Sequence, residues 1–367
     1  MSFYTSLTGL NAAAAELAVV SNNIANSTTT SFKRSEATFG DIFALSTSSN
    51  PSTAMGSGVR IIGIDQQFSQ GSFELTENSL DIAISGDGFF PMAGADGRPV
   101  YTRNGSFMLN DNNQIVNSAG FVVQVHPLLE NGQSDFNQNL QNLTIDRTIA
   151  AKATTNIALD IKLPEAAAVI GVDGGTAIDP TDNTTYNQSQ VINLYDDAGE
   201  SYTATVYYQK IADNVANGAA TEDQWRASIY VGDPAVLSNE IAFSFDENGA
   251  LTADIADQTI AASVVDGRAQ AITLGLNAIT HTKTFEVVDQ TVDGTPTGEL
   301  TNINVEEGGA VFATYSNGVQ VASGRINLAK FSSPSGLSQE GNTVYSATSA
   351  SGVVAFGEPG SAGVGKL

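Results

Sequence analysis

Chemistry in this sequence would have to be done by carboxylates and hydroxyls. Of 367 residues, 39 are Asp or Glu, 15 are Lys or Arg, two are histidines (His126 and His281), and none is cysteine. The missing thiols exclude disulfides, thiolate nucleophiles and cysteine-ligated zinc or iron–sulfur centres. Two histidines exclude any site built on three. His126 precedes Pro127 at the end of an expected strand, the setting of an ordinary turn histidine, so a Ser/His/Asp triad drawn from it has no local support. The acidic turns Asp196-Asp197-Ala198-Gly199-Glu200 and Asp246-Glu247-Asn248-Gly249 invite calcium. Neither combines ligands at alternate positions with the closing Glu that an EF-hand loop needs. Asx before Gly is, in any case, what a β-turn uses. Gly86-Asp87-Gly88 lacks the third glycine and the helix of a dinucleotide fingerprint, and there is neither a G-x-S-x-G elbow nor a phosphate-binding loop. Paired acids of the kind used in glycoside hydrolysis remain open, because their separation in space is not written in the sequence. No metal, no cofactor and no small-molecule substrate is expected.

The formal net charge of −24 disfavours phosphate backbones and anionic lipid as partners, so no nucleic acid is expected. Charged residues make up only 15% of the chain, and the polar remainder is Gly, Ser, Thr, Asn and Gln, a composition of many short strands joined by turns. No stretch approaches the apolar length of a membrane-spanning helix. The N-terminus has no Lys or Arg ahead of its apolar run, and Glu16 interrupts Ala12 to Val20, so a cleaved secretory signal is not expected.

The elements that would position any site begin with a helix. Phe3, Leu7, Leu10, Ala14, Leu17 and Ile24, with Ser21 in the remaining slot, recur at alternating spacings of four and three, as in a coiled-coil seam. Ala12 to Ala15 favour helix and permit close approach. Asn22, Asn23, Asn26 and the Ser/Thr run to Ser31 then end it. A helix of about 20 residues is marginal alone in water, so its stripe needs a partner, either its own domain or another chain. Residues 28–70 read as a linker with a short strand near Val59 to Ile64, and Phe39 and Phe43 as two aromatics packed beneath it. From Gly71 the period becomes two: Leu80-Asp81-Ile82-Ala83-Ile84 alternates, and Asp87-Gly88, Asp96-Gly97 and Asn104-Gly105 supply turns. Strands near Val191 to Tyr195, Tyr202 to Gln209, Trp225 to Val231 and Ile241 to Phe245 form a second β region, with Trp225 as a core anchor.

Long motifs then match a known family in order. Leu7-Thr8-Gly9-Leu10-Asn11-Ala12-Ala13, Ser21-Asn22-Asn23-Ile24-Ala25-Asn26 and Ser31-Phe32-Lys33-Arg34 resemble the N-terminus shared by the flagellar rod and hook proteins. Gly88-Phe89-Phe90 and Tyr101-Thr102-Arg103-Asn104-Gly105-Ser106-Phe107 resemble the inner β domain of that family, and Tyr315-Ser316-Asn317-Gly318 with Gly324-Arg325-Ile326-Asn327-Leu328-Ala329 its second half. Phe245-Asp246-Glu247-Asn248-Gly249-Ala250-Leu251 and Trp225 resemble the extra outer domain that sets hook members apart from the shorter rod members.

The expected fold is therefore mainly β: an assembly helix over 1–27, a flexible linker over 28–70, an inner antiparallel β domain formed by 71–147 and 286–367, and an outer β domain at 148–285 inserted into it. The resemblance implies a structural subunit, not an enzyme: a hook protein polymerising into the curved tube that carries torque from motor to filament. Its implied partners are other copies of itself, the distal rod protein, the hook-capping protein, the hook–filament junction protein and the flagellar type III export apparatus. Its implied place is the extracellular flagellum. The assembly seam would be Leu7, Leu10, Ala14, Leu17 and Ile24, with Asn22, Asn23 and Asn26 as the family's N-terminal motif. Phe39-Gly40-Asp41-Ile42-Phe43 resembles a short motif that engages the export gate. The family also has a C-terminal helix that pairs with the N-terminal one, beyond the region ending here at Gly365-Lys366-Leu367. Alternatives are a distal rod protein or, in another class, an extracellular β-rich glycoside hydrolase or adhesin.

Overall fold

A computed structural model describes residues 2–42, 56–94, 96–129, 132–170, 177–212, 222–232, 236–246, 248–260, 271–282, 284–361 and 363–367. It is mainly β, with a single α-helix among the described residues, α1 (Ser2–Ala25). Contacts divide it into two units. The first comprises Met1–Arg147, Thr301–Thr314 and Gln320–Leu367; the second comprises Thr148–Leu300 and Tyr315–Val319.

In the first unit, α1 lies against a two-stranded antiparallel ribbon of β1 (Ser35–Asp41) and β2 (Val59–Gln66). The segment expected as a linker thus carries two paired strands. Alternating Ser35, Ala37 and Phe39 give β1 the period of a half-buried strand, which its Ser, Thr and Gly neighbours mask in the sequence.

The widest sheet of this unit among the described residues is antiparallel, with strands in the order 338–341, 344–346, 99–102, 90–93, 122–125, 115–117 and 107–109, and 141–142 paired to 122–125; strands 328–330 and 355–357 form a separate pair. Its core stacks aromatics edge to face: Phe89 lies 5.8 Å from Phe331 and 5.8 Å from Tyr345, and Tyr101 lies 4.8 Å from Phe331. The Arg103 guanidinium sits 4.9 Å from the Phe89 ring centroid, a cation–π contact that keeps a half-buried charge tolerable. Residues 80–84 alternate as expected yet join no ladder beyond isolated bridges, Asp81 to Ser106 and Ser85 to Lys366. The Asp81 carboxylate accepts from Thr76, Asn78 and Ser106 side chains instead, which turns the chain at that point. Gly105 is required there, since a Cβ would fall 1.7 Å from the Ile82 carbonyl oxygen.

The second unit is a sandwich of two four-stranded sheets. One has the order 258–260, 272–282, 156–164, 286–292; the other runs 188–195, 201–212, 223–231, 236–245. Every second residue of Asn156–Pro164 (Ile157, Leu159, Ile161, Leu163) is buried, and these face Leu194, Val206, Tyr208, Trp225 and Phe245 in one core. The strand Glu286–Val292 pairs with Asn156–Pro164 inside this unit, so the chain leaves it at Leu300 and not at 285. The turn residues Asp293-Gly294-Thr295-Pro296-Thr297-Gly298 follow that strand in the sequence. Both acidic turns are built as β-turns: Asp196 Oδ1 accepts from the Glu200 N–H at 2.7 Å, Asp246 Oδ1 from the Ala250 N–H at 2.8 Å, and Gly199 has a φ of +84°.

Candidate assembly surface

An α-helix places residues at 100° intervals, so two stripes offset by half a turn lie on opposite sides. The stripe Phe3, Leu7, Leu10, Ala14, Leu17 and Ile24 is exposed throughout, with Leu10 and Leu17 each 67% exposed and Ile24 68%. The opposite stripe, Thr8, Ala12, Ala15, Val19 and Asn23, is half-buried. The helix does pack on its own unit, but through its small residues. Its large apolar residues are left outside, contrary to the burial order expected of a self-contained amphipathic helix.

Two polar side chains fasten the packed face. Asn23 behaves like a short strand: its Nδ2 donates to the Ser35 carbonyl at 2.8 Å, and its Oδ1 accepts from the Ser35 N–H at 2.9 Å. One amide thus satisfies both backbone groups of the first β1 residue. Fifteen residues earlier, Thr8 Oγ accepts from the Val59 N–H at 3.3 Å and donates to the Thr5 carbonyl at 2.8 Å. Gly58 makes room for it with a φ of +116°, and a Cβ there would lie 2.3 Å from Thr8 Oγ. Asn22 and Asn26 close the helix instead: Asn26 Nδ2 donates to both the Asn22 carbonyl and Asn22 Oδ1 at 3.1 Å. The three asparagines therefore divide two jobs between them. Of the packed face, only the Ala12 to Ala15 run and Asn23 left a signal in the sequence.

Beneath the helix exit, Ser31 Oγ donates to the Arg103 carbonyl at 2.9 Å and Lys33 Nζ to the Ser69 carbonyl at 2.7 Å. Burial, and then the Arg103 charge, push the Lys33 ammonium below its ordinary pKa. Phe39 is half-buried on β1, opposite Ile61, and Phe43 lies outside the described residues. Among the described residues no group of three or more His, Asp and Glu converges on a metal-sized site. His126 is buried between Phe136 and Phe356 at centroid distances of 4.9 and 5.0 Å, and desolvation pushes its pKa down. Its surroundings are those of a core histidine.

The first unit thus presents an exposed apolar helix face. The flagellar hook protein FlgE of Salmonella typhimurium strain LT2 is 33% identical over 379 residues, covering all of this chain and 88% of that protein. The chain belongs to the flagellar hook protein family. The hook protein of Escherichia coli K12 is 32% identical with the same coverage, and that of Borreliella burgdorferi 28%. Three family models match in order: the flagella basal body rod protein over residues 3–33, the flagellar hook protein FlgE/F/G D1 domain over 83–174, and the flagellar basal body protein FlaE D2 domain over 162–295. The crystal structure of Helicobacter pylori flagellar hook protein FlgE2 shares the fold, with a TM-score of 0.56 at 14% identity, covering 79% of this chain and 98% of that one. The family is one of structural flagellar components, so the hydrolase and adhesin alternatives are not favoured. The outer unit, matched by its own hook-family model, likewise disfavours a distal rod protein.

Proposed function

We infer that this hook-family chain is a structural subunit of the bacterial flagellar hook, without catalytic activity, and that the stripe Leu7, Leu10, Ala14, Leu17 and Ile24 is its polymer seam. The observation that carries the reading is the exposed stripe itself, on a chain related end to end to hook proteins. A buried apolar side chain contributes about 1.5–3 kcal/mol, so covering several of them per copy couples the order of the helix to assembly. The partners that follow are other copies of the chain along the tube, the distal rod protein at its base, and the capping and junction proteins at its tip. Export would run through the flagellar type III apparatus, with Phe39 and Phe43 engaging its gate in the unfolded chain. The outer unit, 148–300, would fold on its own. The test is complementation of a strain lacking the gene. The wild-type chain restores hooks visible by electron microscopy, whereas Leu10→Asp or Leu17→Asp restores none although the protein accumulates. Hooks of normal number from either variant would overturn the seam.

A further inference from the structure

At the exit of α1 the first unit forms an open cavity of about 600 Å³, walled by residues 26–34, by the segment 69–74 and by Arg103. Two cations stand side by side in it. Lys33 Nζ donates to the Ser69 carbonyl at 2.7 Å and Arg103 Nη1 to the Phe68 carbonyl at 3.3 Å, so consecutive peptide groups hold them. Their fields overlap: after burial, the Arg103 charge is what pushes the Lys33 ammonium below its ordinary pKa. The Arg103 guanidinium also lies over the Phe89 and Phe68 rings, at 4.9 and 5.6 Å from their centroids. Stacking engages its face and leaves its edge for hydrogen bonds.

Among the described residues neither cation has a carboxylate within ion-pair distance. Lys33 spends one of its three donors there and Arg103 one of its five. The acids around them are engaged elsewhere or stand outside. Asp81 accepts from the Thr76, Asn78 and Ser106 side chains, and Glu36 from the Gln67 amide at 3.2 Å. Asp87 acts on Arg103 only from beyond ion-pair distance, and Glu74 is exposed. Two half-buried like charges with spare donors and no close counter-charge are costly as they stand. An oxyanion between them would offset both costs through charge-assisted hydrogen bonds.

We propose that this cavity is an oxyanion site, filled in the assembled protein by a carboxylate of a neighbouring copy. The charge of the chain names that source. With 39 acidic side chains against 15 basic, every copy carries carboxylates in excess, and assembly concentrates them around a cation pair that lacks a partner. Cavity and carboxylate are different surfaces, so each copy offers one and receives the other, and the contact propagates. The proposal rests on the hook reading above and adds a polar contact to the helix seam.

Site and occupant are tested separately. In the purified full-length chain, inorganic phosphate should slow amide exchange across residues 31–34 and 67–70 several-fold relative to chloride at the same ionic strength. Lys33→Gln should abolish that response. Equal exchange in the two salts overturns the site. The occupant is read in isolated hooks treated with a carbodiimide, which joins an amine to a carboxylate in contact with it. The wild type should give bands of dimer size and above on a denaturing gel, with peptide mapping placing Lys33 in an amide to Asp or Glu. Lys33→Arg keeps the cation but offers no amine to couple, so it should lose those bands. Lys33 left unlinked, or linked only in chains of monomer size, overturns the neighbouring carboxylate. A wild-type chain that forms no hooks would instead sink the hook reading and leave the phosphate result standing, so the failures are distinguishable.

Discussion

In α1 no described side chain is buried, and Phe3 stands 82% exposed, whereas Leu159, Ile161 and Leu163 of the sandwich strand 156–164 are each at 0%. Charge divides the same way. Residues 1–70 hold four acidic and three basic side chains, while 148–300 hold 22 acidic and six basic, a net of −16. The sandwich has finished its burial within one chain and carries a surface that repels its own copies at close range. The helix and ribbon are nearly neutral and keep their apolar residues outside. Contacts between copies are therefore expected to use the helix more than the sandwich. The comparison predicts that substitutions in the sandwich act on stability and substitutions on the helix act on assembly.

The largest effects should come from the sandwich core. Trp225→Ala removes a side chain that is 0% exposed and should cost about 3–5 kcal/mol, read as a lowered denaturant midpoint for this unit. An equal or larger shift in hydrogen exchange of the first unit would show that the two units share one core. Comparable in size is the buried pair Lys210–Asp223, where Nζ lies 3.2 Å from Oδ2 and 2.6 Å from the Glu165 carbonyl oxygen. Lys210→Met leaves a buried carboxylate without its cation and should cost about 3–5 kcal/mol, while Lys210→Met with Asp223→Leu should recover most of it. The measurement is the double-mutant cycle on unfolding of the purified chain. Failure to recover would mean that the pair fixes the strand register as well as neutralising itself.

A smaller effect is expected where the helix meets the ribbon. Asn23→Ala deletes both hydrogen bonds to Ser35, which are partly exposed, and should cost about 1 kcal/mol. Because the bonds are local, the cost should appear as faster amide exchange at Ser35 and along β1, with the sandwich unchanged. Protection that stays the same would assign the contact no hold on the ribbon.

Much of this was legible in the sequence, for identifiable reasons. The sandwich strands showed because period-two burial leaves alternating apolar residues, and Trp225 showed because a lone tryptophan between turns is rarely anything but an anchor. The stripe on α1 showed because large apolar residues at spacings of four and three are strong pattern. Its partner stripe showed only as the Ala12 to Ala15 run and Asn23, since Thr8, Ala12, Ala15 and Asn23 are small or polar and have no period in hydrophobicity. Residues 35–41 read as linker because a strand packed against alanines needs no bulk on its buried face. The side on which Glu286–Val292 belongs was hidden too: turn residues follow it at Asp293-Gly294, but it pairs with a strand more than a hundred positions earlier, and long-range pairing leaves no local mark.

A pH dependence should be smaller again. Burial holds the His126 imidazole below its ordinary pKa of 6.5, so the unfolded chain binds the proton more readily than the folded one. Its contribution is fully present above pH 6.5 and is lost as pH falls below that value toward the depressed folded pKa. The first unit should therefore lose stability on acidification through that window, and His126→Phe should flatten the dependence over it. The Asp135 carboxyl beside it is held below its ordinary pKa, first by its hydrogen bond from the Gln138 side chain, and stays charged across that window. An unchanged slope in the variant would move the dependence to other groups.

The smallest effect on stability is also the sharpest test of the contrast. Leu17 is 67% exposed on α1 and touches no core, so Leu17→Asp removes little buried surface from the isolated chain. Its unfolding midpoint should shift by no more than about 0.5 kcal/mol, as for other surface substitutions, apart from the modest helix propensity of Asp. Ala15→Asp is the matched control on the opposite face, where a carboxylate would be driven against the ribbon. It should loosen β1 and β2 in the isolated chain, because the half-buried alanine face has no room for it. The two positions lie two residues apart on one helix, so sequence position and composition are nearly held constant. If Leu17→Asp leaves the monomer untouched and abolishes tubes while Ala15→Asp destabilises the monomer first, α1 has one face for its own chain and one for its neighbours. If both substitutions destabilise the isolated chain alike, the exposed stripe is already covered within the subunit in solution, and the seam must lie elsewhere.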